Sequence, residues 1–224
     1  MSVVTQHGQR GELRIYLGAA PGVGKTYAML SEAHRCAGRG TDVVAAAVDT
    51  HGRSQTAEML AGIETLGGPG DPLDVAAVLA RRPEVALIDD LAATNPSASG
   101  NTHRWQDIEE LLAAGITVIS TVNVQQLESL SDVVAKIIGT TQHDTVPDAV
   151  VRQAAQIELI DIDPEALRRR LSHGHIYPPE TVDAALANYF RSETLTALRE
   201  LALLWLAGHV DATLTRYRAD KKIT

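Results

Sequence analysis

Residues 13–26 read LRIYLGAAPGVGKT: a short aliphatic run, a glycine-rich turn, and Lys-Thr opening an amphipathic stretch. Strand, glycine-rich loop and helix in that order are the setting of a phosphate-binding loop. Glycines let successive backbone N–H groups point inward as an anion nest, and the helix that follows adds its positive end. Gly18, Ala19, Ala20, Pro21, Gly22, Val23, Gly24, Lys25 and Thr26 are therefore the candidate nucleotide-binding segment. Lys25 would reach the outer phosphates, and the Thr26 hydroxyl would serve as a Mg²⁺ ligand. The usual spacing is Gly, four residues, then Gly-Lys-Thr. Here that first position is Ala19, and the glycine stands one residue early, at Gly18.

Such a loop needs a parallel sheet behind it, and the rest of the chain supplies the pattern. Strands are expected at 13–18, 42–48, 84–90, 116–123 and 156–162. Helices are expected at 24–40, 54–66 with Ser54 as N-cap, 73–83, 104–115, around 125–138, 163–174, 178–190 and 193–218. Asp163 caps the helix that Pro164 begins. The strands are near-continuous aliphatic runs, as expected when both faces are buried. The fold class is therefore α/β: a P-loop NTPase-like, mostly parallel sheet with helices on both faces, plus C-terminal helices. The expected organisation is a flexible N-terminus (1–10), a nucleotide-binding domain (11–163), a helical extension packed on it (164–218) and a linker-like end (219–224).

Ligands of such sheets bind beyond the carboxyl ends of the strands. EVALIDD (84–90) ends in two acids, in the form of a Walker B segment. Asp89 would hold Mg²⁺ through water, and Asp90 stands where a catalytic base orients the attacking water; the plainer alternative is a solvated turn. In VDTHGR (48–53), His51 and Arg53 are either a phosphate-sensing pair or part of a polar turn. In TVN (121–123), Thr121 or Asn123 would lie beside the Walker B strand. An amide there, Asn123, senses the γ-phosphate or is simply a helix-entry residue.

Composition narrows the partners. The net charge of −8 disfavours nucleic acid, and the single cysteine, Cys36, cannot build a disulfide framework. Aromatic residues are only 4 % of the chain, so the core must be aliphatic. No apolar run approaches the ~20 residues of a membrane span. A cytoplasmic chain that does not itself insert into a membrane is expected. LRRR (167–170) is either a solvated helix face or an anion site, and His173 and His175 either a metal pair or a helix-end turn. Leu195, Leu198, Leu201, Ala202, Trp205 and Leu206 form a broad apolar surface, for packing or for docking.

Taken together, RIYLGAAPGVGKTYAML, THGR, RWQDIEELLAAGITVISTVN, LESL, DAALANYF and LTALRELAL resemble the N-terminal cytoplasmic domain of the KdpD family, the osmosensitive potassium-channel sensor histidine kinases of bacteria. The resemblance runs from about residue 10 to residue 223, and the wording is closest to actinobacterial members. Ala19 belongs to that family's form of the loop. The resemblance implies an ATP-binding regulatory domain that tunes kinase and phosphatase activity towards a response regulator. Its partners would be a stress-protein-like domain, a membrane region and a kinase core, or a separate kinase. The chain stops near where the stress-protein-like domain would begin, as a fragment or a short homologue would.

The family's Asp-Glu-Leu-Ala-His-Thr-Asn is here Asp89-Asp90-Leu91-Ala92-Ala93-Thr94-Asn95. The glutamate is shortened and the histidine is lost. A misplacement near 1 Å at a reacting centre can cost ~10²-fold in rate. Mg-ATP binding with little or no turnover is therefore expected. The alternatives are a self-contained P-loop ATPase or small-molecule kinase, and a docking module with a degenerate site.

Overall fold

Six runs form the strands: β1 (Leu13–Gly18), β2 (Val43–Ala47), β3 (Glu64–Thr65), β4 (Val85–Ile88), β5 (Thr117–Asn123) and β6 (Gln156–Ile160). They make one parallel sheet in the order β3-β2-β4-β5-β1-β6, the α/β class expected. The computed structural model describes residues 10–221 apart from Pro69, Ala98, His175 and Pro178. The expected flexible N-terminus thus lies, Arg10 excepted, outside the described residues, as do 222–224. All four residues of β4 are buried, as befits a strand paired on both edges. Val85, Ala86, Leu87 and Ile88 face Thr117, Val118, Ile119 and Ser120 of β5.

Contacts divide the chain into two compact units. The first holds residues 26–122 and 153–157 with the first strand up to Tyr16. Its helices are α1 (Lys25–Gly38, from Thr26 on), α2 (Ser54–Leu60), α3 (Val75–Arg81) and α4 (Arg104–Ala113). Ile15, Met29, Leu30, Leu87, Ile108, Leu111 and Ile119 are fully buried, the aliphatic core that the composition demands. Two local expectations are corrected here. Ser54 is the first helical residue rather than the cap, which is Arg53 in extended conformation. The helix expected over 54–66 stops at Leu60 because Ala61 turns to ψ 135°, and Glu64 and Thr65 then pair with Val44 and Ala45 as a short edge strand. Asp74 caps α3 by accepting from the Ala77 N–H at 2.9 Å. The polar loop after β4 is pinned by Asp107, a buried carboxylate that accepts from Asn95 Nδ2 (2.6 Å) and Asn101 Nδ2 (2.8 Å).

The second unit holds residues 17–25, 123–152 and 158–224. It contains α5 (Ser131–Ile138), α6 (Asp148–Arg152), α7 (Pro164–Ser172), α8 (Pro179–Ala187) and α9 (Ser192–Lys221). Asp163 caps α7 as its sequence suggests, accepting from the N–H groups of Glu165 (3.0 Å) and Ala166 (3.2 Å). The core of this unit is Leu167, Leu171, Ile176, Val182, Phe190 and Leu195 together with Ala20 and Val23 of the glycine-rich loop. On α9, Leu195, Leu198 and Ala202 are buried, so the packing alternative holds for them, while Leu203 and Leu204 face solvent. Among the described residues no helix is long and apolar enough to cross a membrane.

Asp148 shows how this unit responds to acid. It is partly buried, which by itself raises a carboxyl pKa; hydrogen bonds from Trp205 Nε1 and from the Ser129 N–H and hydroxyl, with Arg152 nearby, hold it below its ordinary value nevertheless. A carboxylate depressed in the folded state contributes stability above its unfolded pKa and loses that contribution as pH falls through the folded one. Stability of the wild type should therefore be flat near neutrality and decline below about pH 4. Asp148→Asn should remove part of that decline, read by tryptophan fluorescence in urea titrations at stepped pH.

Candidate functional site

The glycine that looks displaced has a local reason. A Cβ on Gly18 would lie 2.7 Å from Val23 Cγ2 and 2.9 Å from Lys25 Cδ. The aliphatic stem of Lys25 folds back over residue 18, so its placement requires glycine there. Ala19 needs no such freedom, since its φ is not positive. Gly22 does: its φ is +84°, and a Cβ would meet Ile176 Cδ1 at 2.4 Å. Ala20 is fully buried and Val23 nearly so, both within the helical core of their unit. The loop's side chains are thus anchored on one side, which leaves its backbone to carry the chemistry.

Lys25 is buried, and its Nζ donates to Asn123 Oδ1 (2.6 Å) and to the Ala20 carbonyl (3.2 Å). The Asn123 N–H donates to Gln126 Oε1 at 2.8 Å, at the start of a 3₁₀ turn over 124–126. Asn123 is thus both a turn residue and the lysine's partner. In the other unit, Thr26 Oγ1 donates to Asp89 Oδ2 at 2.8 Å. The Thr121 hydroxyl donates to Asp89 Oδ1 and accepts from the Asp90 N–H at 3.0 Å. Asp89 itself is buried, and its N–H still pairs with the Ala47 carbonyl.

The hydroxyl of Thr26 and the carboxylate of Asp89 are hard oxygen donors, the type that Mg²⁺ takes. Among the described residues no three His, Cys, Asp or Glu side chains converge as a metal cage. A Mg²⁺ site of this class has no need of one, because phosphate and water supply its remaining ligands. Asp90 adopts φ +56°, a left-handed conformation that Asp and Asn tolerate better than longer residues. Its departure from the glutamate of the resemblance therefore coincides with a backbone position that suits the shorter side chain.

From sequence Arg104 is only the single arginine at the polar loop, with no role at the acidic strand end. Its Nη1 donates to the Asp89 carbonyl at 2.8 Å, tying the start of α4 to the acidic strand end. The available signal was its place directly after the polar loop, at the first turn of a helix. His51 adopts φ +50° and its Nδ1 lies 3.0 Å from Asp49 Oδ2, so that loop closes on itself. His173 ends α7, with Nδ1 2.6 Å from the Arg169 carbonyl; His175 lies outside the described residues.

The family model described as "KdpD: Osmosensitive K+ channel His kinase sensor domain" matches residues 9–210. The chain belongs to the KdpD sensor-domain family. A "Sensor protein KdpD" of Mycobacterium tuberculosis is 63 % identical over 96 % of this chain and 26 % of its own length. KdpD of Rathayibacter rathayi is 52 % identical over 94 % of this chain and 26 % of its own. KdpD of Escherichia coli K12 is 46 % identical over 93 % of this chain and 24 % of its own. The chain thus spans about a quarter of the length of these KdpD relatives, and an actinobacterial relative stands among the most similar, as its wording suggested.

Proposed function

We propose that this chain is the Mg-ATP-binding input domain of a two-component potassium or osmotic sensor histidine kinase, or a short stand-alone homologue of it. The observation that carries the reading is the pair of prepared contacts at consecutive residues, Lys25 with Asn123 and Thr26 with Asp89. Membership of the KdpD family supports the signalling context. Its partners would be a stress-protein-like domain, a membrane region and a kinase core, acting on a response regulator from the cytoplasmic side of the membrane.

In this reading the loop amides and Lys25 hold the phosphates, while Thr26 and Asp89 hold Mg²⁺, which neutralises phosphate charge when bound. To hold a phosphate, Lys25 would have to give up its bond to Asn123. Release of Asn123 then loosens the 3₁₀ turn that follows, where the buried Gln125 accepts a hydrogen bond from Tyr189 beyond α8. Nucleotide occupancy is thereby converted into a change in the helical unit. The small-molecule-kinase alternative asks for an arginine-bearing lid. The polar loop has only Arg104 beside it, and that guanidinium is engaged by the Asp89 backbone.

Asp90 and Ala93 stand where the resemblance has larger groups, so binding without appreciable hydrolysis is expected. A colorimetric phosphate-release assay should give turnover far below the ~1 s⁻¹ at the lower end of ordinary enzymes. Turnover near that value, abolished by Lys25→Ala, would show a working ATPase instead.

A further inference from the structure

Three arginines follow one another on α7, and their surroundings differ. Arg168 donates to the Phe190 carbonyl and lies 3.7 Å from Glu165. Arg169 is exposed, and its carbonyl accepts from the Ser172 hydroxyl at 2.9 Å. Arg170 alone faces the glycine-rich loop. Its Nη1 is 3.5 Å from the Gly22 carbonyl and 3.8 Å from where a Cβ on Gly24 would stand. Among the described residues no carboxylate pairs with it. The helix that carries it is fixed on the loop, because Leu167 and Leu171 share a buried cluster with Ala20 and Val23.

Arg170 is solvent-exposed like Arg169, yet it adds to positive charge already gathered at this place. The loop already concentrates inward-facing amides, the positive end of α1 and the Lys25 ammonium. One long hydrogen bond to Gly22 leaves most of the guanidinium's five donors to solvent. A planar, permanently charged fork beside a phosphate-binding backbone suits a ligand with several anionic oxygens, and suits it better than a lysine would.

We infer that Arg170 reads the terminal phosphate of a nucleoside triphosphate held by the loop, supplied in cis from α7. This rests on the nucleotide-binding reading above and adds a discriminating function to it. The helix registers triphosphate against diphosphate, because a ligand without the last phosphate leaves the guanidinium unpaired. Leu167 and Leu171, on the same helix as Arg170, share a buried cluster with Phe190, so what Arg170 senses would act on the helical unit directly.

The test is calorimetric titration of Mg-ATP and Mg-ADP into the wild type, Arg170→Ala, Arg170→Lys and Arg169→Ala. Arg170→Ala should weaken ATP by about tenfold or more, the range of a charge-assisted hydrogen bond. ADP should bind it as it binds the wild type. Arg170→Lys should recover part of the loss, and Arg169→Ala should change neither ligand. Melting of each variant without nucleotide checks folding, and Arg170→Gln replaces the alanine variant if that one melts early. Equal affinity for ATP in Arg170→Ala and wild type, or equal losses for ATP and ADP, would overturn the inference while leaving the nucleotide site standing. Absence of ATP and ADP binding in the wild type would overturn both.

Discussion

Phe190→Ala should destabilise the helical unit by about 3–5 kcal/mol, the usual cost of emptying a large buried aromatic site. Phe190 is 1 % exposed and, among the described residues, the one aromatic in the group of largest fully buried side chains. Tyr177 and Tyr189 pack edge-on against it, with ring centroids at 5.8 Å and 5.1 Å, so its ring has two oriented partners as well as aliphatic ones. The cavity would open in the cluster that also seats Ala20 and Val23. Nucleotide affinity should therefore fall along with stability, although Phe190 is not itself a candidate phosphate ligand. Urea unfolding followed by tryptophan fluorescence reads the first effect as a lower midpoint at unchanged slope. A loss below ~1 kcal/mol would place the cluster's stability elsewhere.

Gly22→Ala should cost about 2–5 kcal/mol, from two sources that can be separated. A side chain at positive φ costs roughly 1–2 kcal/mol. Overpacking against Ile176, whose Cδ1 would meet the new methyl at 2.4 Å, adds about 1–3 kcal/mol. Gly52 offers the comparison, because its φ is +71° with nothing within 4 Å of a Cβ. Gly52→Ala should show the backbone cost alone. If both variants melt alike, Ile176 yields freely and the loop is less firmly seated on α7 and α8 than the contacts indicate. If Gly22→Ala is the more damaging, as expected, its ATP affinity should drop too, since relief of the clash must move the backbone that would hold the phosphates.

Much of this was legible in the chain because the strong signals are local. A buried strand such as Val85–Ile88 announces itself by four successive aliphatic residues, and the loop at 18–26 by its glycines and Lys-Thr. Asp163 followed by Pro164 fixes a helix start. The signals that failed are weak or non-local. Glu64–Thr65 is a two-residue edge strand with both side chains exposed, so no hydrophobic pattern marks it. The role of Gly18 depends on where the Lys25 stem lies, which spacing does not reveal. Arg104 and Arg170 act on backbone carbonyls at Asp89 and Gly22, contacts that span 15 and 148 residues of sequence. In a chain read alone, LRRR is either a solvated helix face or an anion site with no member singled out; one register of α7 singles out its last member.

The central claim is the proposal that the chain binds Mg-ATP, with Lys25 on the phosphates and Thr26 and Asp89 on Mg²⁺. Isothermal titration of ATP into the chain in excess Mg²⁺ tests it most directly. Saturable binding of one ATP per chain is expected, lost in Lys25→Ala and weakened in Asp89→Asn or on chelation of Mg²⁺, with both variants folded. No heat of binding in the wild type, or binding that Lys25→Ala leaves unchanged, would contradict it.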